Sequence, residues 1–381
     1  MPKVVHVTGT FYEVGYQIGV IFRERISNFF ADLTLVQEIL LPFSETEKGS
    51  EIYEDYLKAA KTVFPQYVQE MQGMSDATDV PFKQVFLLHI SHELMLLGQG
   101  GPAILGCMNI LVNYEEESGA RQVLIGRNED APTVMKEHAY ILEAEISEPD
   151  KPWRNENFTA YTYLGMIPGL CYGFNSHGLA FSATAVFPQN VLTGVTSPVH
   201  FVARKLLSSQ TMQEAIDLLT ESNAASGISV NIGTTNSNDV SKLPRIVNVE
   251  IAPKQDNHVC DCNIHKVDRS NIRENYFYYH LNMYKHVKLK HKADQSSMAG
   301  TERVSNLPVP TDIEGVLNIL GDEDGTDFRI YKSYSGKDGC STISTALFDL
   351  INCTLLIYLE NPMVNRHPRI TFSIPRKKDG T

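Results

Sequence analysis

Apolar residues recur every three to four positions from Phe11 to about residue 98. FYEVGYQIGVIFRERISNFFADLTLVQEIL and YLKAAKTVFPQYVQEMQGMSDATD both carry the spacing of helices with one buried face. Pro65 and Pro81 punctuate the run, and GQGGPA, from Gly98 to Ala103, ends it. From Gly106 the texture changes. MNILVN, QVLIGR, HAYILEAEI, TAYTYLG and GLAFSATAV are short runs rich in β-branched and aromatic residues, separated by turn residues, and they predict strands. Two helices follow. SPVHFVARKLLSS offers Ser197 as a cap before Pro198, and TMQEAIDLLTES opens with Thr211 three residues before Glu214, a capping box. ISVNIGTT and RIVNVEI resume the strands, HKADQSSMAGTER reads as an exposed loop, and TDIEGVLNIL as a helix. STISTALF, TLLIYLE and RITFSI close the chain as strands.

Helices, then many strands, then helices grouped between further strands fit an α+β protein better than alternating β-α-β units. Two antiparallel sheets packed together, each covered outside by helices, satisfy this order. The change of texture divides the chain into a helical segment, 1–106, and a strand-rich segment, 107–381.

Composition narrows the class. A 43% hydrophobic content with 20% charged residues is ordinary for a globular chain able to bury a core. The formal charge of −12 argues against nucleic acid as the main partner. The opening MPKVVHVTGTFYEVGYQIG lacks a basic-then-apolar leader, and no apolar run reaches the roughly 20 residues that span a bilayer. A cytoplasmic protein without a membrane partner is expected. The cysteines, at 107, 171, 260, 262, 340 and 353, are scattered and read as free thiols.

One of them stands apart. Cys107 begins a strand that runs to about Tyr114, EEESGA turns the chain, and RQVLIGRNED returns. A turn centred near Ser118 sets Cys107 opposite a residue near Glu129 and brings Arg127 and Asp130 to the same end of the hairpin. A thiolate is a nucleophile, and a nearby cation lowers its pKa from about 8.5. If the chain were cut between Gly106 and Cys107, the freed α-amine would place a base on the nucleophile itself. The Cys107 thiol can make that cut by attacking the Gly106 carbonyl, which no side chain obstructs. The competing reading of the same residues is a buried apolar cysteine beside an ordinary ion pair.

GRNED at 126–130 resembles the Gly-Arg-Asn-x-Asp segment of choloylglycine-type N-terminal-nucleophile amidases. FYEVGYQIGVIFRERI, GCMN, GLCYGFNSHGLAFSATAV and YYHLNMY, in this order, resemble the acyl-CoA:isopenicillin N acyltransferase family, and within it the insect Tan-type hydrolases of β-alanyl amines. The likeness runs from about residue 8 to 375. It implies a four-layer αββα sandwich, made as a precursor that cuts itself at Gly106–Cys107 into an αβ heterodimer. It implies Cys107 as nucleophile, its α-amine as base held by Asp130, Arg127 polarising the site, and Asn282 donating to the oxyanion. Lys332 is the implied late basic residue, with Arg329 as the alternative. Thr184, Asn175 and His280 are further candidates for the oxyanion or substrate. No cofactor or metal is implied.

Three positions depart from the family's pattern. Met108 stands where a small hydroxyl residue is usual and bears on the pocket wall. Thr184 stands where asparagine is common, which makes one oxyanion donor a hydroxyl or a backbone N–H. Lys332 replaces arginine and loses its bidentate geometry. The resemblance implies hydrolysis of a β-alanyl or similar aminoacyl amide of a biogenic amine. Acyl transfer through the same thioester, or an inactive scaffold, are the alternatives. Elsewhere, His89 and His92 sit three apart but lack a third metal ligand, and Cys260-Asp-Cys262 has no matching pair for zinc. GLCYGFNSHG reads as turns, not as a phosphate loop, and His177 as a pocket or structural histidine.

Overall fold

The computed structural model describes residues 1–98, 106–236, 245–254, 261–269, 276–325, 327–334 and 339–376. Among the described residues, nine α-helices of six or more residues organise the layers: α1 (Phe11–Asp32), α2 (Glu47–Val63), α3 (Pro65–Thr78), α4 (Phe82–His89), α5 (Ser91–Leu96), α6 (Val199–Leu206), α7 (Met212–Thr220), α8 (Gln295–Ser305) and α9 (Ile313–Leu320). The strands are β1 (Lys3–Gly9), β2 (Gly106–Glu115), β3 (Arg121–Ala131), β4 (Ala139–Ile146), β5 (Glu156–Tyr163), β6 (Tyr172–Asn175), β7 (Leu179–Ala185), β8 (Ile228–Thr234), β9 (Ile246–Ala252), β10 (Asp261–Val267), β11 (Phe277–His280), β12 (Ser341–Asp349), β13 (Thr354–Tyr358) and β14 (Ile370–Ser373).

They form an eight-stranded sheet in the order β1-β4-β5-β6-β7-β8-β9-β10 and a six-stranded sheet in the order β11-β2-β3-β12-β13-β14. Every pair is antiparallel except β1 with β4. The α+β sandwich expected from the chain is present, with two corrections. The opening segment is not purely helical, because KVVHVTG adds a parallel edge strand to the larger sheet. Only Val5 and Val7 of that strand are deeply buried, too few to stand out in the sequence. Residues 295–305 are helical rather than a loop. Asp294 caps α8 through the Ser297 N–H, and Ser297, Gly300 and Val304 form its buried stripe.

The prolines act as expected: Pro65 opens α3 and Pro81 precedes α4. The cap of α6 differs. Pro198, not Ser197, precedes its first residue, and the Glu93 carboxylate accepts the Val199 N–H at 2.8 Å. Helices α1 and α3 cross in direct backbone contact. A Cβ on Gly15 would lie 1.8 Å from the Glu70 carbonyl oxygen, and one on Gly73 would lie 2.0 Å from that of Tyr12.

The pleat sorts β2 and β3 by parity. Even positions (Met108, Ile110, Val112, Leu124) turn outward into a core shared with Val316, Leu317 and Leu320 of α9. Odd positions (Leu111, Val123, Ile125) turn inward to the main core. Cys107, Asn109, Arg127 and Glu129 share this inward parity, so polar side chains lie between the sheets at the end where β2 begins.

Candidate active site

Cys107 is the second residue of β2, is 5% exposed and pairs with Glu129 of β3, as the hairpin turn near Ser118 predicts. Arg127 follows on the same face. Its Nη2 donates to Cys107 Sγ at 2.8 Å, and its Nε donates to Glu129 Oε2 at 2.9 Å. Its Nη1 reaches Ser182 Oγ at 3.2 Å and the Ala183 carbonyl of β7. Glu129 Oε1 accepts from the Tyr163 hydroxyl at 3.0 Å and lies 3.6 Å from Cys171 Sγ. Arg127 and Glu129 are fully buried.

Asp130 points the other way along the strand end. Its Oδ1 accepts from Thr342 Oγ1 at 2.7 Å, and its Oδ2 lies 3.2 Å from Lys332 Nζ, which also donates to Ser296 Oγ at 3.2 Å. Asp130 and Asn282 flank Gly106: a Cβ built there would lie 3.8 Å from Asp130 Oδ2 and 3.9 Å from Asn282 Oδ1. Asn282 Oδ1 accepts the Cys107 backbone N–H at 3.0 Å, while its Nδ2 donates to the Ala185 carbonyl at 2.9 Å. In this geometry Asn282 meets the cysteine nitrogen through its oxygen and gives one amide hydrogen to the backbone.

Burial pushes the Cys107 thiol up. Arg127 pulls against that, and Glu129 and Asp130 add to it. The thiol therefore needs a base to ionise it. With the Gly106–Cys107 peptide intact, its own nitrogen is an amide and cannot serve.

Of the sequence candidates, Cys107, Gly106, Arg127, Asp130, Asn282 and Lys332 converge here. Arg329 does not: its Nε donates to the Gly325 carbonyl and its guanidinium lies over the Tyr334 ring. Thr184 is buried on β7 and accepts from Asn109 Nδ2 at 2.6 Å. Asn175 is placed elsewhere. Its Nδ2 donates to the Leu207 and Ser209 carbonyls, and its Oδ1 accepts from the His177 and Leu179 N–H groups, so it fixes the β6–β7 turn. His280 pairs through Nε2 with Glu250 at 2.8 Å. Burial opposes ionisation of Glu250, but His280 and the Lys285 and Val287 N–H groups outweigh it and hold the carboxyl down at about 2.

Met108 points outward into the core under α9, so it is not a wall of the inward-facing site. His89 uses both ring nitrogens, on the Val85 carbonyl and the Ile167 N–H, which excludes a shared metal with His92. Cys260 lies outside the described residues, and Cys262 is exposed on β10. Asn109, Glu129 and Ser182 were not singled out in the sequence. Strand parity marks the first two, each two residues from a candidate. Ser182 donates to Asn109 Oδ1 across the sheets at 2.5 Å.

Residues 115–363 match the family described as acyl-coenzyme A:6-aminopenicillanic acid acyl-transferase. The chain is 30% identical over 373 residues to the β-alanyl-dopamine/carcinine hydrolase of Drosophila melanogaster, covering 94% of this chain and 93% of the relative. Likeness to solved structures is slight. A mutant of conjugated bile acid hydrolase from Clostridium perfringens superposes with a TM-score of 0.38 at 10% identity, over 72% of this chain and 99% of that one. Penicillin V acylase from Agrobacterium tumefaciens gives 0.37 at 10% identity, over 66% and 82%. No helix among the described residues is long and apolar enough to cross a membrane.

Proposed function

The chain belongs to the acyl-coenzyme A:6-aminopenicillanic acid acyl-transferase family and is a hydrolase of amide bonds, and on that premise we propose that it is a self-processing cysteine amidase acting on an N-β-alanyl, or similar aminoacyl, biogenic amine. The observation that carries this reading is the meeting of a buried thiol, Arg127 and Asn282 at the first peptide of β2, with Asp130 beside Gly106. The relative's substrates, β-alanyl-dopamine and carcinine, supply the substrate class.

Processing comes first. Cys107 Sγ attacks the Gly106 carbonyl, the C–N bond breaks as the acyl group moves from nitrogen to sulfur, and the nitrogen takes up the thiol proton. Water then opens the thioester, leaving a carboxylate on Gly106 and a free amine on Cys107. Asn282 Oδ1, which accepts the amide N–H before the cut, is placed to accept from that amine after it. In turnover the amine takes the thiol proton as sulfur attacks the substrate amide. It returns the proton to the departing amine, and water hydrolyses the acyl-thioester. Arg127 stabilises negative charge on sulfur, and Lys332 neutralises Asp130. The two products of processing would remain together as an αβ heterodimer, with no cofactor in the reaction.

The family's description favours a second use of the same thioester, capture by an amine in place of water, which would make the protein an acyltransferase. Intact mass and a denaturing gel of the wild type beside Cys107→Ala test the proposal. Two chains in the wild type, one starting at Cys107, and a single chain in the variant are expected. A wild type that never cuts sinks the self-processing mechanism. A cut protein that releases no amine from β-alanyl amides sinks the substrate.

A further inference from the structure

Asn282 lies two residues beyond β11, in a stretch without regular structure, yet its side chain meets the first peptide of β2. Strand β9 clamps this stretch at both ends. Upstream, His280 Nε2 meets Glu250 Oε1 at 2.8 Å. Downstream, the same carboxylate accepts from the Lys285, His286 and Val287 N–H groups at 2.6, 2.9 and 2.8 Å. The Tyr284 hydroxyl adds a bond to the Ile251 carbonyl at 3.0 Å.

The middle of the stretch is held differently. The Asn282 N–H donates to Ser297 Oγ of α8 at 3.0 Å. Ser297 is 2% exposed, and its hydroxyl donates its only proton to Asp294 Oδ2. That carboxylate oxygen also accepts the Ser297 N–H, at 2.8 Å. With its proton committed to Asp294, the Ser297 oxygen meets Asn282 purely as an acceptor. Its neighbour Ser296 accepts from Lys332 Nζ, which lies beside Asp130. Consecutive serines in the first turn of α8 thus brace the two sides that flank Gly106.

We propose that Ser297, backed by Asp294, is a positioning residue that acts through Asn282 on the Cys107 nitrogen, before the cut and after it. The inference rests on the amidase reading and adds to it the part that aims the base. A freed α-amine turns about its Cα–N bond, and it takes the thiol proton only with its lone pair toward sulfur. An N–H donated to Asn282 Oδ1 stops that rotation, and Ser297 fixes where the oxygen stands.

Ser297→Ala tests this. Asp294 still caps α8 through the backbone N–H of residue 297, and β9 still clamps the stretch, so the variant should fold. Hydrogen exchange at the amide of residue 107 is read by mass spectrometry in the uncut Cys107→Ala chain. Ser297→Ala should speed it about tenfold, the weight of one hydrogen bond. Asn282→Ala should speed it at least as much, and adding Ser297→Ala to that variant should change nothing more. With Cys107 in place, Ser297→Ala should slow self-cleavage and lower kcat on β-alanyl amides by about tenfold or more, with KM unchanged. Ser297→Thr, which keeps the hydroxyl, should restore both. Unchanged exchange and kcat in Ser297→Ala overturn the inference and leave the amidase reading standing. Additive effects of Ser297→Ala and Asn282→Ala on exchange also overturn it, because Ser297 would then only support the fold. If the wild type neither cuts nor releases amine, the amidase reading fails and exchange alone decides. Faster exchange that runs through Asn282 upholds the positioning, and unchanged exchange overturns it.

Discussion

Among the described residues two arginines are completely buried, and they do opposite things with similar partners. Arg204 of α6 lies between Glu70 of α3 at 3.0 Å and Glu156 of β5 at 2.6 Å, with the Tyr67 and Phe158 rings within 4.7 Å of its guanidinium. Arg127 has one carboxylate, Glu129, and gives Nη2 to a thiol. The first cluster holds two negative charges against one positive, closed by aromatic faces, and joins a helix pair to a sheet. The second balances its charge and leaves the guanidinium facing a group that can become an anion. Burial and pairing alone do not mark a reactive site. What differs is whether the arginine still has an anion to gain.

The sharpest way to break that contrast is to remove each cation. Arg127→Met should lower turnover by about 10³-fold or more, comparable to loss of the nucleophile, when amine release is assayed on β-alanyl amides. A variant with a tenth of wild-type activity would place Arg127 outside the chemistry. Arg204→Met should leave turnover per folded molecule unchanged but cost about 3–5 kcal/mol in denaturant unfolding, because two buried carboxylates lose their cation. Unaltered stability would show that water already reaches that cluster.

A milder perturbation is Glu129→Gln. The buried carboxylate raises the Cys107 thiol, so its removal takes away one of the groups that oppose Arg127, beside burial and Asp130. The acid limb of the rate–pH profile should move to lower pH by on the order of one unit. A profile that stays in place while the rate falls would make Glu129 only a support for Arg127.

The smallest effect is expected at Glu70. Burial raises its pKa from 4.5 to about 6, against the pull of Arg204 and with a further push from Glu156. The folded protein then holds this proton more tightly than the unfolded chain between those values. Stability from this group is present below pH 4.5 and lost as pH rises through 6. Glu70→Gln should therefore stabilise the protein at pH 8 by about 1–2 kcal/mol and change little at pH 4.5, read as unfolding midpoints at the two pH values. A midpoint difference that is the same at both would remove Glu70 as the titrating group.

The hairpin was legible before any coordinates because two simple periodicities agree. A turn near Ser118 and a two-residue pleat set Cys107 opposite Glu129. The same logic shows why Met108 misleads: sequence adjacency places it beside the nucleophile, and the pleat turns it to the opposite face. Asn175 misleads for a different reason. Its motif fits a site, but the Asn-x-x-Gly spacing is also what a tight turn needs, with Gly178 at φ 76° and the asparagine oxygen collecting two N–H groups. The β1 strand and α8 stayed hidden because each buries few side chains. What holds them is a partner strand in one case and an aspartate cap in the other, both invisible to hydrophobic spacing.

The parallel pairing of β1 with β4 has a mechanical consequence. Met1 enters the molecule through a seven-residue ladder into a strand that lies beyond the Gly106–Cys107 bond in the chain. Helices α1 and α3 interlock beside it. Tension applied at the N-terminus is borne by that ladder in shear, and the Gly106–Cys107 bond lies off the load path. Severing the bond leaves this anchor intact, so a tag fused ahead of Met1 would carry both segments through a column in native buffer. Denaturant, which melts the ladder, would let a severed second segment wash away alone.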